Sequence, residues 1–263
     1  TRVPIKVIIF DAFDTLITPR SAPYLQYAEE ARKVGLQVQD EDVKKSFKSS
    51  FKQLAKQYPV YGLNTGLSSP DDWWLRLIQQ TMIGSGIQQT KVEDAMPILG
   101  PALLNRFGSA EAYKLAEGVP DVFEKLNELK GPSNADLTLS LATNSDQRIL
   151  NACKDLGLGR FLDLDVVYDS KRAPTNISDE DLGSSVKKAR EPVSGPTLSY
   201  DVGFEKPSKE FFHFAVQRIF PFDQSQQITL AEMCKQTLYV GDHFEEDYLG
   251  AKSAGLQAAW LRR

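Results

Sequence analysis

Lys6-Val7-Ile8-Ile9-Phe10-Asp11-Ala12-Phe13-Asp14-Thr15-Leu16 joins an apolar run to an acidic, turn-forming segment. A short run without polar alternation reads as a strand buried on both faces, the form found in parallel sheets, and this one delivers Asp11 to the start of a loop. Similar runs lie at Leu137 to Ala142, ending on Thr143-Asn144, at Asp165 to Tyr168, at Thr237 to Val240, ending on Gly241-Asp242, and at Gln257 to Leu261. Helical patterns separate them: Asp121 to Leu129, Gln147 to Leu156, Ser208 to Ile219, and Glu246 to Ala254 with Gly255 as its C-cap. Strands alternating with helices predict an α/β fold with a Rossmann-like, doubly wound parallel sheet.

Residues 20–116 break the alternation with successive helices, Ala22 to Val34, Asp40 to Gln57, Pro70 to Met82 and Lys91 to Phe107. Asp40 and Glu41 ahead of Val43, Phe47, Phe51 and Leu54 give a helix start and a 3.6-period apolar stripe. The block reads as an all-helical cap domain inserted into a core made of residues 1–19 and 117–263, with hinges near Ile17 to Arg20 and Glu117 to Pro120. Residues 169–199, rich in Lys, Asp, Ser, Gly and Pro, lose all apolar period and read as a flexible insertion within the core.

The 263 residues are 41% hydrophobic and 25% charged, with a mean hydropathy of -0.33, which is the composition of a soluble globular chain. No apolar run reaches membrane-spanning length. Lys and Arg number 31 against 35 Asp and Glu, and no basic run is sustained, so neither a nucleic-acid partner nor a membrane is expected. Two isolated cysteines, Cys153 and Cys234, each in a polar helical context, point to a reducing compartment. The chain is expected to be intracellular and cytoplasmic, or mitochondrial after removal of a leader, and the sequence leaves its oligomeric state open. With only His213 and His243 present, a multi-histidine metal site is nearly excluded, and the chemistry falls to carboxylates, Lys and Thr.

Ligands of open parallel sheets bind beyond the carboxyl ends of the strands. Three strand candidates end in Asp11, Thr143-Asn144 and Asp242, and Lys206 stands in Gly203-Phe204-Glu205-Lys206-Pro207 just before a helix. In this order Asp11-Ala12-Phe13-Asp14-Thr15-Leu16, Leu141-Ala142-Thr143-Asn144, Lys206-Pro207 and Gly241-Asp242-His243-Phe244-Glu245-Glu246-Asp247 resemble the four motifs of the haloacid dehalogenase (HAD)-like hydrolases. The resemblance spans almost the whole chain, the helical insertion looks like the family's type-1 cap, and Trp73-Trp74 with the first-motif variant looks like the Reg-2-like branch.

Asp11, Asp242 and Asp247 gathered at one rim would repel, and a hard divalent cation relieves that. The resemblance implies that Mg²⁺ is held by Asp11, Asp242, Asp247 and the backbone carbonyl of Phe13. It implies that Lys206 and Thr143 contact phosphoryl oxygens, that Asn144 positions the loop or the substrate, and that Asp11 attacks phosphorus to form an aspartyl-phosphate. The expected function is hydrolysis of a small phosphorylated metabolite. The family's usual second Asp, which protonates the leaving group, is replaced here by Phe13. General acid help of that kind is worth about 10²–10⁴-fold in rate. Asp14 reads as a turn residue and not as its substitute. Phe13 keeps two other readings open, a metal-independent 2-haloacid dehalogenase and a non-catalytic binding or regulatory protein on the same fold. Trp73 and Trp74 read as packing residues of the cap, His213 as a packing or solvent-edge residue, and His243 receives no role.

Overall fold

The computed structural model describes residues 3–129, 137–168, 192–220 and 228–262. The chain forms two compact units, Thr1–Thr18 with Leu115–Arg263, and Pro19–Lys114. In chain order the first unit opens with β1 (Val7–Phe10), and β2 (Ile17–Pro19) leads into the second. That unit carries α1 (Pro23–Lys33), α2 (Asp40–Gln57), α3 (Pro70–Gly84) and α4 (Gln89–Phe107), and β3 (Tyr113–Leu115) leads out of it. There follow α5 (Val119–Leu129), β4 (Thr138–Thr143), α6 (Arg148–Asp155), β5 (Val167–Tyr168), β6 (Pro192–Ser194) and β7 (Thr197–Leu198). The chain ends with α7 (Ser199–Val202), α8 (Lys209–Ile219), α9 (Leu230–Lys235), β8 (Thr237–Gly241), α10 (Gly250–Ser253) and β9 (Gln257–Trp260).

Five strands make a parallel sheet in the order β7-β4-β1-β8-β9. Every residue of β1 is buried because both faces of the central strand are covered. Val7 and Ile9 pack with Phe211, Phe212, Ala215 and Val216 of α8 and Ala251 of α10. Phe10, on the opposite face by the two-residue alternation of a strand, meets Phe123 of α5 with ring centroids 5.2 Å apart. This double coverage explains why the sequence of β1 reads as a continuous apolar run.

The helical unit is built around α2, whose Val43, Phe47 and Leu54 face α1, α3 and α4. Trp73 is 1% exposed and donates its indole N–H to the Tyr58 carbonyl at 3.0 Å, while Trp74 packs against the same cluster. Both are packing residues. Among the described residues, no helix is long and apolar enough to cross a membrane.

Several elements differ from the sequence reading. The strand expected at Asp165 to Tyr168 is only Val167–Tyr168, and it pairs antiparallel with β6 outside the parallel sheet. The edge of that sheet is instead β7, two residues inside the stretch read as an insertion and too short to carry a period. Strand β6 falls in the same stretch, whose residues 169–191 lie outside the described residues. The helix expected from Glu246 to Ala254 divides into a π-helical turn, Phe244–Leu249, and the short α10. Helix α9 was signalled by a capping box in which Thr229 and Glu232 satisfy each other's backbone N–H groups, a pattern the apolar period overlooks. Cys153 and Cys234 are buried and not on polar faces, and burial pushes the Cys153 thiol up to about 12.

Candidate active site

The register of the sheet decides what meets at its rim. Phe10 pairs with Leu141 on one side and with Val240 on the other. The next residues therefore bring Asp11, the Ala142-Thr143 end of β4 and the Gly241-Asp242 end of β8 to adjacent strand termini, about 4.8 Å apart. The Asp11 N–H donates to the Val240 carbonyl at 2.9 Å, which fixes this alignment past the end of β1. The chain runs outward from β1 through β4 to β7 and then returns to the far side of β1 for β8 and β9. The reversal falls between β1 and β8, the position where open α/β sheets bind ligands.

Asp247 reaches this rim from the π-helical turn. Its carboxylate accepts the His243 N–H at 2.9 Å and lies flat against Gly241. A Cβ at Gly241 would stand 2.3 Å from both Cγ and Oδ2 of Asp247, so only glycine admits the carboxylate there. Carboxylate oxygens of Asp11, Asp242 and Asp247 all lie within 4.8 Å of one another. Asp11 and Asp247 are 4% and 1% exposed, and Asp242 is half-buried. A loop supplies the counter-charge, because Lys206 Nζ lies 2.6 Å from Asp11 Oδ1 and 2.6 Å from Asp247 Oδ1.

These charges compete with desolvation. Burial pushes the Asp11 carboxyl up to about 6 against the attraction of Lys206, and Asp247 adds to the rise. Burial, then Asp247 and Asp14, raise Asp242 as well. Burial opposes the charge on Lys206, but Asp11, Tyr239 and Asp247 outweigh it and hold the ammonium charged well above the ordinary lysine range. Among the described residues one cation, Lys206, faces the three carboxylates, so the ionised cluster carries an excess of negative charge. Three converging hard oxygen ligands are a donor set suited to Mg²⁺.

Gly241→Ala is accordingly expected to weaken divalent-cation affinity by about 10- to 100-fold, as displaced ligand supports generally do. Calorimetric Mg²⁺ titration measures this, and unchanged affinity would mean that the placement of Asp247 does not matter to the ion.

The other residues named from the sequence fall as follows. The Thr143 hydroxyl is buried without a hydrogen-bond partner of normal geometry among the described residues, yet it lies near enough to favour the charged form of Asp11. Asn144 binds the backbone of Lys206 from both sides. Phe13 is half-buried in the turn after Asp11, where the Ala12 carbonyl accepts the N–H groups of Leu16 and Ile17 at 2.9 and 3.0 Å. Asp14 is exposed at φ 51°, with its N–H on the Ile17 carbonyl and its carboxylate accepting the Thr18 hydroxyl at 3.0 Å. That is the conformation and bonding of a turn residue. His243 caps the π-helical turn through Nδ1, which accepts the Glu246 N–H at 3.1 Å. His213 Nε2 lies 3.0 Å from the Ala254 carbonyl.

Two further residues belong to the site but were not named from the sequence. Tyr239 is buried, donates its hydroxyl to the Ala142 carbonyl at 2.7 Å and places its ring centroid 5.7 Å from Lys206 Nζ. Thr15 brings its hydroxyl to 3.5 Å from Asp242 Oδ1. Tyr239 looks like an ordinary strand residue in sequence, and only the sheet register places it beneath Lys206.

A sequence model of the haloacid dehalogenase-like hydrolase family matches residues 5–255. The chain belongs to the haloacid dehalogenase-like hydrolases. Among family relatives it is 25% identical over 258 residues to haloacid dehalogenase-like hydrolase domain-containing protein 3 of Bos taurus, covering 98% of this chain and 82% of that protein. It is 23% identical over 257 residues to the rhythmically expressed gene 2 protein of Drosophila melanogaster, covering 97% and 82%. Among solved structures, the magnesium-bound HAD-hydrolase YfnB of Bacillus subtilis matches with a TM-score of 0.57 at 18% identity, over 98% of this chain and 87% of that one. The L-2-haloacid dehalogenase RSc1362 matches with a TM-score of 0.55 at 13% identity, over 99% and 87%. Both likenesses carry the HAD fold.

Proposed function

We propose that the protein is a Mg²⁺-dependent phosphohydrolase that works through an aspartyl-phosphate on Asp11. The observation that carries this reading is the cluster of three carboxylates beside a buried lysine and a buried threonine hydroxyl, gathered at the rim of the sheet around Asp11. Asp11, Asp242, Asp247 and the Phe13 carbonyl would hold the ion, which when bound supplies positive charge for the phosphoryl group. Magnesium in the YfnB structure agrees with this choice of metal.

In the first step an Asp11 carboxylate oxygen forms a bond to phosphorus while the bond from phosphorus to the leaving oxygen breaks. In the second, water attacks that phosphorus and returns Asp11 as carboxylate with release of inorganic phosphate. Dividing one displacement into two lowers each barrier. Lys206 and the Thr143 hydroxyl would offer N–H and O–H donors to phosphoryl oxygens, where charge accumulates.

Phe13 sharpens the substrate class. A phenyl ring donates no proton to the departing oxygen, so the reading favours phosphates whose leaving group departs as a stable anion, acyl phosphates above all. A series of aryl phosphates with leaving-group pKa values from about 5 to 10 should show kcat/KM falling steeply as the pKa rises, because protonation cannot assist departure. A flat dependence would show that another acid serves, and no turnover with Mg²⁺ across the series would remove the phosphohydrolase reading.

Phe13 also supports a second reading, since halide leaves carbon without a proton and needs no acid. Halide release from 2-chloropropionate in EDTA would establish a metal-independent dehalogenase instead. The half-buried Asp242 and the buried Asp247, which such a reaction does not require, favour the phosphohydrolase.

A further inference from the structure

We propose that Asn144 is a positioning residue that holds Lys206 in the site, and not a contact to substrate. The proposal deepens the phosphohydrolase reading and rests on it for the role of Lys206. Asn144 Oδ1 accepts the Lys206 N–H at 2.8 Å, and Asn144 Nδ2 donates to the Lys206 carbonyl at 3.2 Å and to Glu246 Oε2 at 3.4 Å. The partners fix the orientation of the amide: a backbone N–H can only donate, and a carbonyl and a carboxylate accept. With both ends engaged, the amide is spent on the protein.

The geometry gives these bonds a purpose. Asn144 follows Thr143 at the end of β4, Lys206 lies 62 residues further on, and Glu246 is 102 residues away in the turn that carries Asp247. One side chain thus joins three loops that meet only in the fold. Both the N–H and the carbonyl of Lys206 are bound by Asn144, and its Nζ lands 2.6 Å from each of two carboxylates. A loop shift of about 1 Å would cost such a site up to about 10²-fold in rate.

The test uses the full-length protein, with Asn144→Ala and the near-isosteric Asn144→Asp, whose second oxygen would repel both the Lys206 carbonyl and Glu246. Each protein is treated with an amine-acylating reagent, and labelling of Lys206 is followed by peptide mass spectrometry against the exposed Lys252. Both variants should label Lys206 about tenfold faster than the wild type with Lys252 unchanged, as expected for a local opening that costs about 1.4 kcal/mol less. In parallel, kcat/KM is measured for Asn144→Ala, Lys206→Met and the double variant. If Asn144 acts through Lys206, the double variant is no worse than Lys206→Met alone, because coupled residues are not additive. Unchanged Lys206 labelling in both variants, or losses that add in the double variant, would overturn the proposal. Faster Lys206 labelling in both variants, together with a wild type that shows no Asp11-dependent turnover, would refute the phosphohydrolase reading while leaving the support of Lys206 by Asn144 in place.

Discussion

Asp11→Asn should abolish Mg²⁺-dependent phosphate release and, in the same preparation freed of metal with EDTA, raise the melting temperature. The first effect follows from the proposed chemistry. An amide oxygen is a poor nucleophile and cannot be regenerated by hydrolysis as the carboxylate is, so loss of a covalent nucleophile of this kind costs on the order of 10⁴-fold or more. The second follows from burial. The Asp11 carboxyl is pushed from 3.8 up to about 6, mainly by desolvation. The folded protein therefore holds a proton there that the unfolded chain has released, over the window from pH 3.8 to about 6.

The sign is then fixed by proton linkage. Stability falls with rising pH wherever the folded state binds more protons, so the contribution of Asp11 declines through that window. Above it, the ionised carboxylate costs about 3 kcal/mol relative to an unperturbed one. The amide removes this cost, and about 1 kcal/mol corresponds to about 2–4 °C for a chain of this size. The melting temperature should rise at pH 7, and the difference should vanish below about pH 4. Turnover of the wild type should have an acidic limb, since Asp11 attacks only when ionised, and raising Mg²⁺ from limiting to saturating should move that limb to lower pH. Calorimetric melts and a pH-rate profile measure both. Loss of stability in Asp11→Asn at neutral pH would show that the 2.6 Å pairing with Lys206 outweighs desolvation, contrary to the upward shift of the Asp11 carboxyl.

The sequence carried most of the core sheet because burial on both faces leaves a strong local mark. Val7–Phe10 is apolar throughout, and β4 and β8 are predominantly apolar, so the positions of Asp11, Thr143 and Asp242 at strand ends could be read directly. Their convergence could not. It depends on β1 lying between β4 and β8 in the sheet, a long-range pairing that no local pattern encodes. The same limit hid Tyr239, whose approach to Lys206 depends on that pairing, and β7, whose two residues have too little length for a period. For Asn144 the motif left open whether it positions the loop or the substrate, since its hydrogen-bond partners lie 62 and 102 residues away. The π-helical turn at Phe244–Leu249 was missed because the apolar period runs on into α10, whereas the turn carries the Asp247 carboxylate that packs on Gly241. Local irregularity of this kind is common at functional sites.

Lys206→Met should separate the stabilising role of the lysine from its role toward substrate. The Lys206 side chain is buried and is paired with two buried carboxylates. Methionine matches its stem in length and apolarity but leaves Asp11 and Asp247 facing each other without a cation. Removing one member of a buried ionic cluster costs about 3–5 kcal/mol, since the remaining charge stays buried and uncompensated. The metal-free variant should therefore melt well below the wild type at pH 7. Lowering the pH toward 5 should recover much of the loss, because a protonated Asp11 no longer needs a partner. Millimolar Mg²⁺ should recover it at pH 7, since a ligand that binds only the folded state stabilises by mass action. Turnover should not return with the metal, because the donor to the phosphoryl group is still missing. Lys206→Arg should restore stability only in part, as its planar fork cannot occupy the point between two carboxylates that each stand 2.6 Å from the ammonium. A variant as stable as the wild type in EDTA would mean that the carboxylates do not share the lysine charge. Rescue of both stability and turnover by Mg²⁺ would assign Lys206 to charge balance alone and leave the phosphoryl group to Thr143 and the metal.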